Sequence, residues 1–217
     1  MAELLNAVLD AHGGLDHSRE VRRVEATIVT GGDLWAIKGQ QEDPAPRHMA
    51  AALDHEWASV SPFSADDQKT DFTPDRVAIE KLDGRVVVKR DNAVHSFDGH
   101  TFATPWDALQ RAYFSHVDVP HHALLADDAR CAVSEISVVH DNGETWQGPQ
   151  AQFPHEIASQ SRVQEFYFDD DFLLRRHDYR VEVAGGFAAV QYVADILEAD
   201  VIKLPSRRNG PPGRRAR

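Results

Sequence analysis

The chain has 217 residues, 42% of them apolar, and a formal net charge of −12 from 35 acidic and 23 basic side chains. That content suffices for one packed domain, and the negative balance opposes phosphate backbones and anionic lipid headgroups, so no nucleic-acid partner is expected. The single cysteine, Cys131, excludes an internal disulfide and a thiolate-only metal site, no apolar run approaches the roughly 20 residues of a membrane-spanning helix, and the N-terminal segment lacks the basic start of a secretory signal, which gives a cytoplasmic expectation.

Residues 2 to 11 place Leu4, Leu5, Val8, Leu9 and Ala11 on one helical stripe, which Gly13-Gly14 stops. Residues 24 to 40 read as a hairpin turning about Gly31-Gly32-Asp33, followed by a breaker stretch, Glu42 to Arg47, and then by strand over 48 to 63. Asp83-Gly84 between two alternating apolar runs is a hairpin signal. Thr104, Pro105 and Asp107 suit the cap and first turn of a central helix over 104–116, with Trp106, Leu109, Tyr113 and His116 on its stripe. Residues 121 to 129 suggest a second short helix. Hairpins about Asn142-Gly143 and Asp169–Asp171 follow, then a long alternating segment ending near Pro205. The tail from 207 to 217 is basic and rich in Gly and Pro, hence expected to be disordered.

Hairpin-length connections argue against βαβ units. The expected architecture is therefore α+β: a curved antiparallel β-sheet, a half-barrel, wrapped around one or two central helices, with a short N-terminal helix, in a single domain over 1–206. Such a sheet leaves a groove lined by its inner face.

No GxSxG, Walker loop, dinucleotide fingerprint or HExxH motif is present. What stands out is the strand after the acidic turn. Strict alternation puts Leu173, Arg175, His177, Tyr179, Val181 and Val183 on one face. An arginine within an apolar face requires a carboxylate, a carbonyl cluster or an anionic ligand, or lies at the sheet margin. His177-Asp178 is no dyad, because strand neighbours face opposite ways. Arg175, His177, Tyr179, Trp106, Tyr113 and His116 are thus the candidate ligand-binding set. Twelve histidines invite a metal reading, yet the spacing of His116, His121 and His122 matches no metal template, and no cofactor is implied. Three functions remain open: binding of a hydrophobic small molecule or lipid, an enzyme using cavity histidines as acid/base or metal ligands, and a protein-interaction module. Stable membrane insertion is not expected.

Phe168-Asp169, Leu174-Arg175-Arg176, Asp195, Ile202-Lys203-Leu204-Pro205 and Arg207-Arg208 form a pattern that resembles the closing strands of the bacterial lipoprotein-carrier superfamily, the half-barrel of the Lol carriers. The passage from the N-terminal helix to the first strand is similar to that of soluble relatives. The resemblance implies a curved antiparallel sheet cupping helices, with an apolar cavity for an acyl chain or similar ligand. Position 201 departs from the pattern, with Val in place of the expected Gly.

Overall fold

A computed structural model describes residues 2–41, 43–118, 131–136, 139–141 and 143–210. Helices α1 (Ala2–Ala11) and α2 (Leu15–Glu20) precede β1 (Arg23–Thr30) and the short helix α3 (Asp33–Ile37). Five strands follow: β2 (Asp43–Ala52), β3 (Ala58–Ser61), β4 (Gln68–Thr73), β5 (Arg76–Lys81) and β6 (Val86–Asp91). Helix α4 (Ala108–His116) leads to β7 (Ala132–Glu135), β8 (Val139–Asp141), β9 (Glu144–Trp146) and β10 (Pro149–Gln152). The chain closes with β11 (Val163–Phe168), β12 (Leu174–Val181), β13 (Phe187–Ala199) and β14 (Ile202–Asn209).

The fold is α+β, antiparallel throughout its described pairings, with sheet curved around the central helix. The strands form two six-stranded sheets rather than one continuous sheet. The first is a meander in the order β1-β2-β3-β4-β5-β6, and the second runs β14-β13-β12-β11-β10-β7. Strands β8 and β9 pair separately, with Asp141 opposite Glu144, as the hairpin expected there.

Several local expectations change. The return strand expected after Gly32 is the helix α3, because Trp35 is buried in the core and Lys38 directly beyond it is buried too. The stretch read as a breaker opens β2: Pro44 and Pro46 lie where β2 is paired with β1 alone, since β3 begins pairing only at His48. A proline is tolerated in a strand that has a free edge. Directly after β6, Ala93–Phe97 forms a 3-10 helix. Helix α4 starts at Ala108, not at 104, because Asp107 accepts the Gln110 N–H while the Gln110 side chain accepts the Asp107 N–H. That reciprocal box satisfies two otherwise orphaned donors. Arg207 and Arg208, expected in a disordered tail, belong to β14. Residues 121 to 129 and 211 to 217 lie outside the described residues.

Two apolar clusters result. The first gathers Trp35, Phe63, Phe72, Val77, Ile79 and Phe97 with Trp106, Leu109, Tyr113 and Tyr179 about α4. The second gathers Val8 of α1 with Ala151, Phe153, Ile157, Phe166, Phe168 and Leu174 on the second sheet.

Candidate functional site

The register of β12 decides which of its side chains face inward. Phe166 pairs with His177 and Tyr167 with Arg176, but Phe168 pairs with Leu174, so Arg175 is the extra residue of a β-bulge. Beyond the bulge the alternation changes phase. Leu174, His177, Tyr179 and Val181 are buried, while Arg175 is half-exposed. Its guanidinium donates to Asp171 and lies 3.5 Å from Asp169. Arg175 and His177 therefore do not form the same-face pair that strict alternation requires. The acidic turn supplies the arginine's carboxylates instead.

His177 is 4% exposed. Its ring lies flat on Phe166, 4.5 Å between centroids and 8° between planes, and stacks on Tyr179 at 4.6 Å. Nε2 is 2.7 Å from Gln164 Oε1. The Gln164 amide nitrogen faces Ser159 Oγ at 3.0 Å, the Ser161 carbonyl at 3.3 Å and Asp118 Oδ1 at 3.5 Å. A carbonyl and a carboxylate only accept, so they fix the orientation of the amide. Gln164 Oε1 then faces the imidazole, and Nε2 is the nitrogen that bears hydrogen in the neutral ring. On the other side Gln191 donates to the Tyr179 hydroxyl oxygen at 3.0 Å and accepts from Arg208 at 3.4 Å. Burial lowers His177 to about 3, the Arg208 charge acting in the same direction and Asp118 against it. Burial raises Tyr179 to about 12, with Asp118 adding to the shift. An imidazole held neutral across the physiological range is poorly matched to general acid–base work, which favours values near the working pH.

These groups form a polar layer between the two cores, with Tyr179 in the first cluster and Phe166 in the second. Buried polar groups are costly unless hydrogen-bonded, and this layer supplies the bonds.

The other candidates fall elsewhere. Trp106, Tyr113 and His116 are all buried in the first cluster or against it. His116 donates from Nδ1 to the Ala112 carbonyl, and its Nε2 is 2.9 Å from Thr70 Oγ1. Burial lowers its pKa to about 4, and both ring nitrogens are engaged within the core. His121 and His122 lie outside the described residues, and among the described residues no group of three or more His, Cys, Asp or Glu is arranged for a metal ion. Lys38 was missed by sequence reading. Its buried ammonium donates to the carbonyls of Thr101, Phe102 and Thr104 at 3.0, 2.8 and 3.3 Å and stands 4.8 Å from the Trp106 ring centre. Desolvation lowers its pKa. The only sequence signal was Trp35 three positions earlier, on the same helical face.

A groove of about 350 Å³ runs beneath α1, lined by Glu3, Leu4 and Ala7 of the helix and by Glu135, Gln147 and Phe172 opposite. Leu4 and Phe172 also pack on the second cluster, as does Cys131. The groove therefore borders an apolar cluster that also contains Phe166, the ring on which His177 stacks.

No family model and no curated protein matches this chain. Among solved structures, it is similar to a LolA superfamily protein from Nitrosomonas europaea, at TM-score 0.48 and 7% identity over 93% of this chain and 85% of that one. It is also similar to a DUF1329 family protein from Desulfovibrio piger, at TM-score 0.45 and 12% identity over 93% and 83%. A third is described as an outer membrane lipoprotein-sorting protein domain from Vibrio parahaemolyticus, at TM-score 0.44 and 10% identity over 95% of each chain. The likeness is one of fold.

Proposed function

We propose that the protein reversibly binds a hydrophobic small molecule or a lipid chain, with the groove beneath α1 as its mouth. The observation that carries this reading is the groove itself: its apolar floor of Leu4, Ala7 and Phe172 lies against the second cluster. Its volume of about 350 Å³ falls at the lower end of the range for small-molecule pockets, about 300–1,000 Å³. In this reading the ligand's apolar body lies over Phe168 and Leu174. His177 and Tyr179 bound its inner end as neutral hydrogen-bonding groups, and Arg175, engaged by the acidic turn, takes no part. Trp106, Tyr113 and His116 hold the frame.

Cys131 provides a probe, since it is the chain's single cysteine and packs on the same cluster. Native mass spectrometry with alkyl amphiphiles of ten to twelve carbons is expected to show one-to-one adducts. The same ligands are expected to slow the reaction of Cys131 with a thiol reagent. Ala7→Trp, which fills the groove, is expected to abolish both effects. Clean unliganded masses together with an unchanged thiol rate would overturn the proposal.

A further inference from the structure

Helix α1 forms one wall of the groove through Glu3, Leu4 and Ala7, yet little holds it down. Among its described residues Val8 alone is buried, and a helix of 10 residues is marginal by itself in water. Its seat is set at its C-terminal end, where His12 meets the second sheet. The imidazole stands across Phe168 of β11, 6.0 Å between ring centres and 84° between planes. Its Nδ1 is 2.8 Å from the Val8 carbonyl. A carbonyl only accepts, so Nδ1 carries the hydrogen of the neutral ring and Nε2 is left to take a proton. The charged groups facing the ring are Lys203 of β14, with Asp171 and Arg175 at the acidic turn. Asp171 is already bonded to Arg175, and Asp169 lies 3.5 Å from the same guanidinium. A proton on His12 would therefore add a third cation beside Lys203 and Arg175, on a half-buried ring. His17 of α2 responds differently. It donates to the Asp200 carbonyl at 2.6 Å, a bond that its cation keeps, and Glu20 lies 3.9 Å from its other nitrogen.

We propose that protonation of His12 releases α1 from the second sheet and opens the groove. The consequence for a ligand rests on the binding reading above, whereas the release of α1 does not. Burial lowers the His12 pKa, Lys203 and Arg175 act in the same direction, and the Val8 bond and Asp171 oppose them. A released His12 takes up its proton near about 6.5. Docking of α1 is therefore at full strength above that value and weakens as pH falls toward that of the docked ring.

Hydrogen exchange of the unliganded protein, corrected for intrinsic rates and compared between about pH 7.5 and about pH 5.5, brackets that value and tests the release. The amides of α1 are expected to lose protection in acid beyond any loss in β4 and β5, which carry the buried Phe72 and Val77. His12→Gln is expected to remove this excess loss. His17→Gln, which can still donate to the Asp200 carbonyl, is expected to keep it. Lys203→Gln takes away one of the facing cations and is expected to shrink it. Protection in α1 that is unchanged, or that falls only in step with β4 and β5, would overturn the inference, as would the same excess loss in His12→Gln. Should that variant fail to fold, an undiminished loss in Lys203→Gln would overturn it instead. Native mass spectrometry with a neutral dodecyl glycoside reads the consequence for a ligand. Adducts present at the higher pH are expected to vanish at the lower one in the parent and to persist in His12→Gln. Adducts that survive acid in the parent would overturn the opening of the groove. Adducts at neither pH would sink the binding reading and leave the release of α1 to be decided by the exchange result.

Discussion

The two sheets handle polar groups in opposite ways. Around the first sheet, buried polar side chains are tied singly to backbone or hydroxyl groups: His116 to Ala112 and Thr70, and Lys38 to three carbonyls. On the second, a connected layer of Asp118, Ser159, Gln164 and His177, with Tyr179, Gln191 and Arg208 alongside, crosses the inner face, and a groove lies beyond it. A region whose polar groups are each closed off locally presents nothing to a ligand. A region with linked polar groups beside an apolar groove does. The first sheet is the frame, and the second holds the place where binding is proposed.

The sharpest test of that division is a cavity in the frame. Phe72, fully buried between Tyr113 and His116, is expected to cost about 3–5 kcal/mol on Phe72→Ala. Urea denaturation measures this, and a loss below about 1 kcal/mol would show that the first cluster is not tightly packed. Acid probes both regions at once. The folded protein holds His116 near 4 and His177 near 3, whereas the unfolded chain protonates histidine near 6.5. Below that value the unfolded state binds the extra protons, so stability is fully present above about pH 6.5 and falls as pH drops toward the folded values. Each histidine contributes a slope of about 1.4 kcal/mol per pH unit in that window. His177→Gln is expected to flatten the profile while keeping the parent's stability at pH 7 within about 2 kcal/mol. An unchanged profile would place His177 in a more open setting than its contacts imply. Lys38→Met removes a buried ammonium that three carbonyls accept from and is expected to cost about 2 kcal/mol without affecting amphiphile binding. An effect on binding would break the separation of frame from site.

The smallest effect lies at the turn between β13 and β14, where Asp200 and Val201 have φ of 47° and 71°. A β-branched residue is strained there, and Val201 is exposed and has little packing to lose. Val201→Gly is expected to stabilise by about 1 kcal/mol, the relief of left-handed strain less the added freedom of the unfolded chain.

Much of the fold was legible because local chemistry and tertiary structure agreed. Asp83-Gly84 turns β5 into β6 with Gly84 at φ 87°, and Gly13-Gly14 ends α1, both with positive φ. Where they disagreed, packing prevailed. Nothing near Leu34 signals that Trp35 must reach a core contributed by residues some seventy positions later. The Asp107–Gln110 box was visible in the letters, but the stronger-looking cap at Thr104 obscured it. The site was less legible than the fold for one reason: a single inserted residue, Arg175, reverses the inward set on one side of itself. Alternation therefore described His177, Tyr179 and Val181 correctly and assigned Arg175 to the wrong environment. The groove involves α1 and three separate segments far along the chain, and no local spacing encodes that meeting.

The docking of α1 also bears on the order in which the molecule can assemble. Gly13 sits against the Val201 carbonyl, where an added Cβ would come within 2.5 Å, His17 donates to the Asp200 carbonyl at 2.6 Å, and Lys203 N–H donates to the His12 carbonyl at 3.2 Å. All of these partners lie more than 180 residues further along the chain. The first sheet pairs each strand with the next and can close as it is made, whereas α1 must wait, its apolar stripe uncovered, until β14 has been synthesised. The proposed mouth of the protein thus forms only after β14, and a chain stalled short of β14 would carry an intact first sheet and no groove.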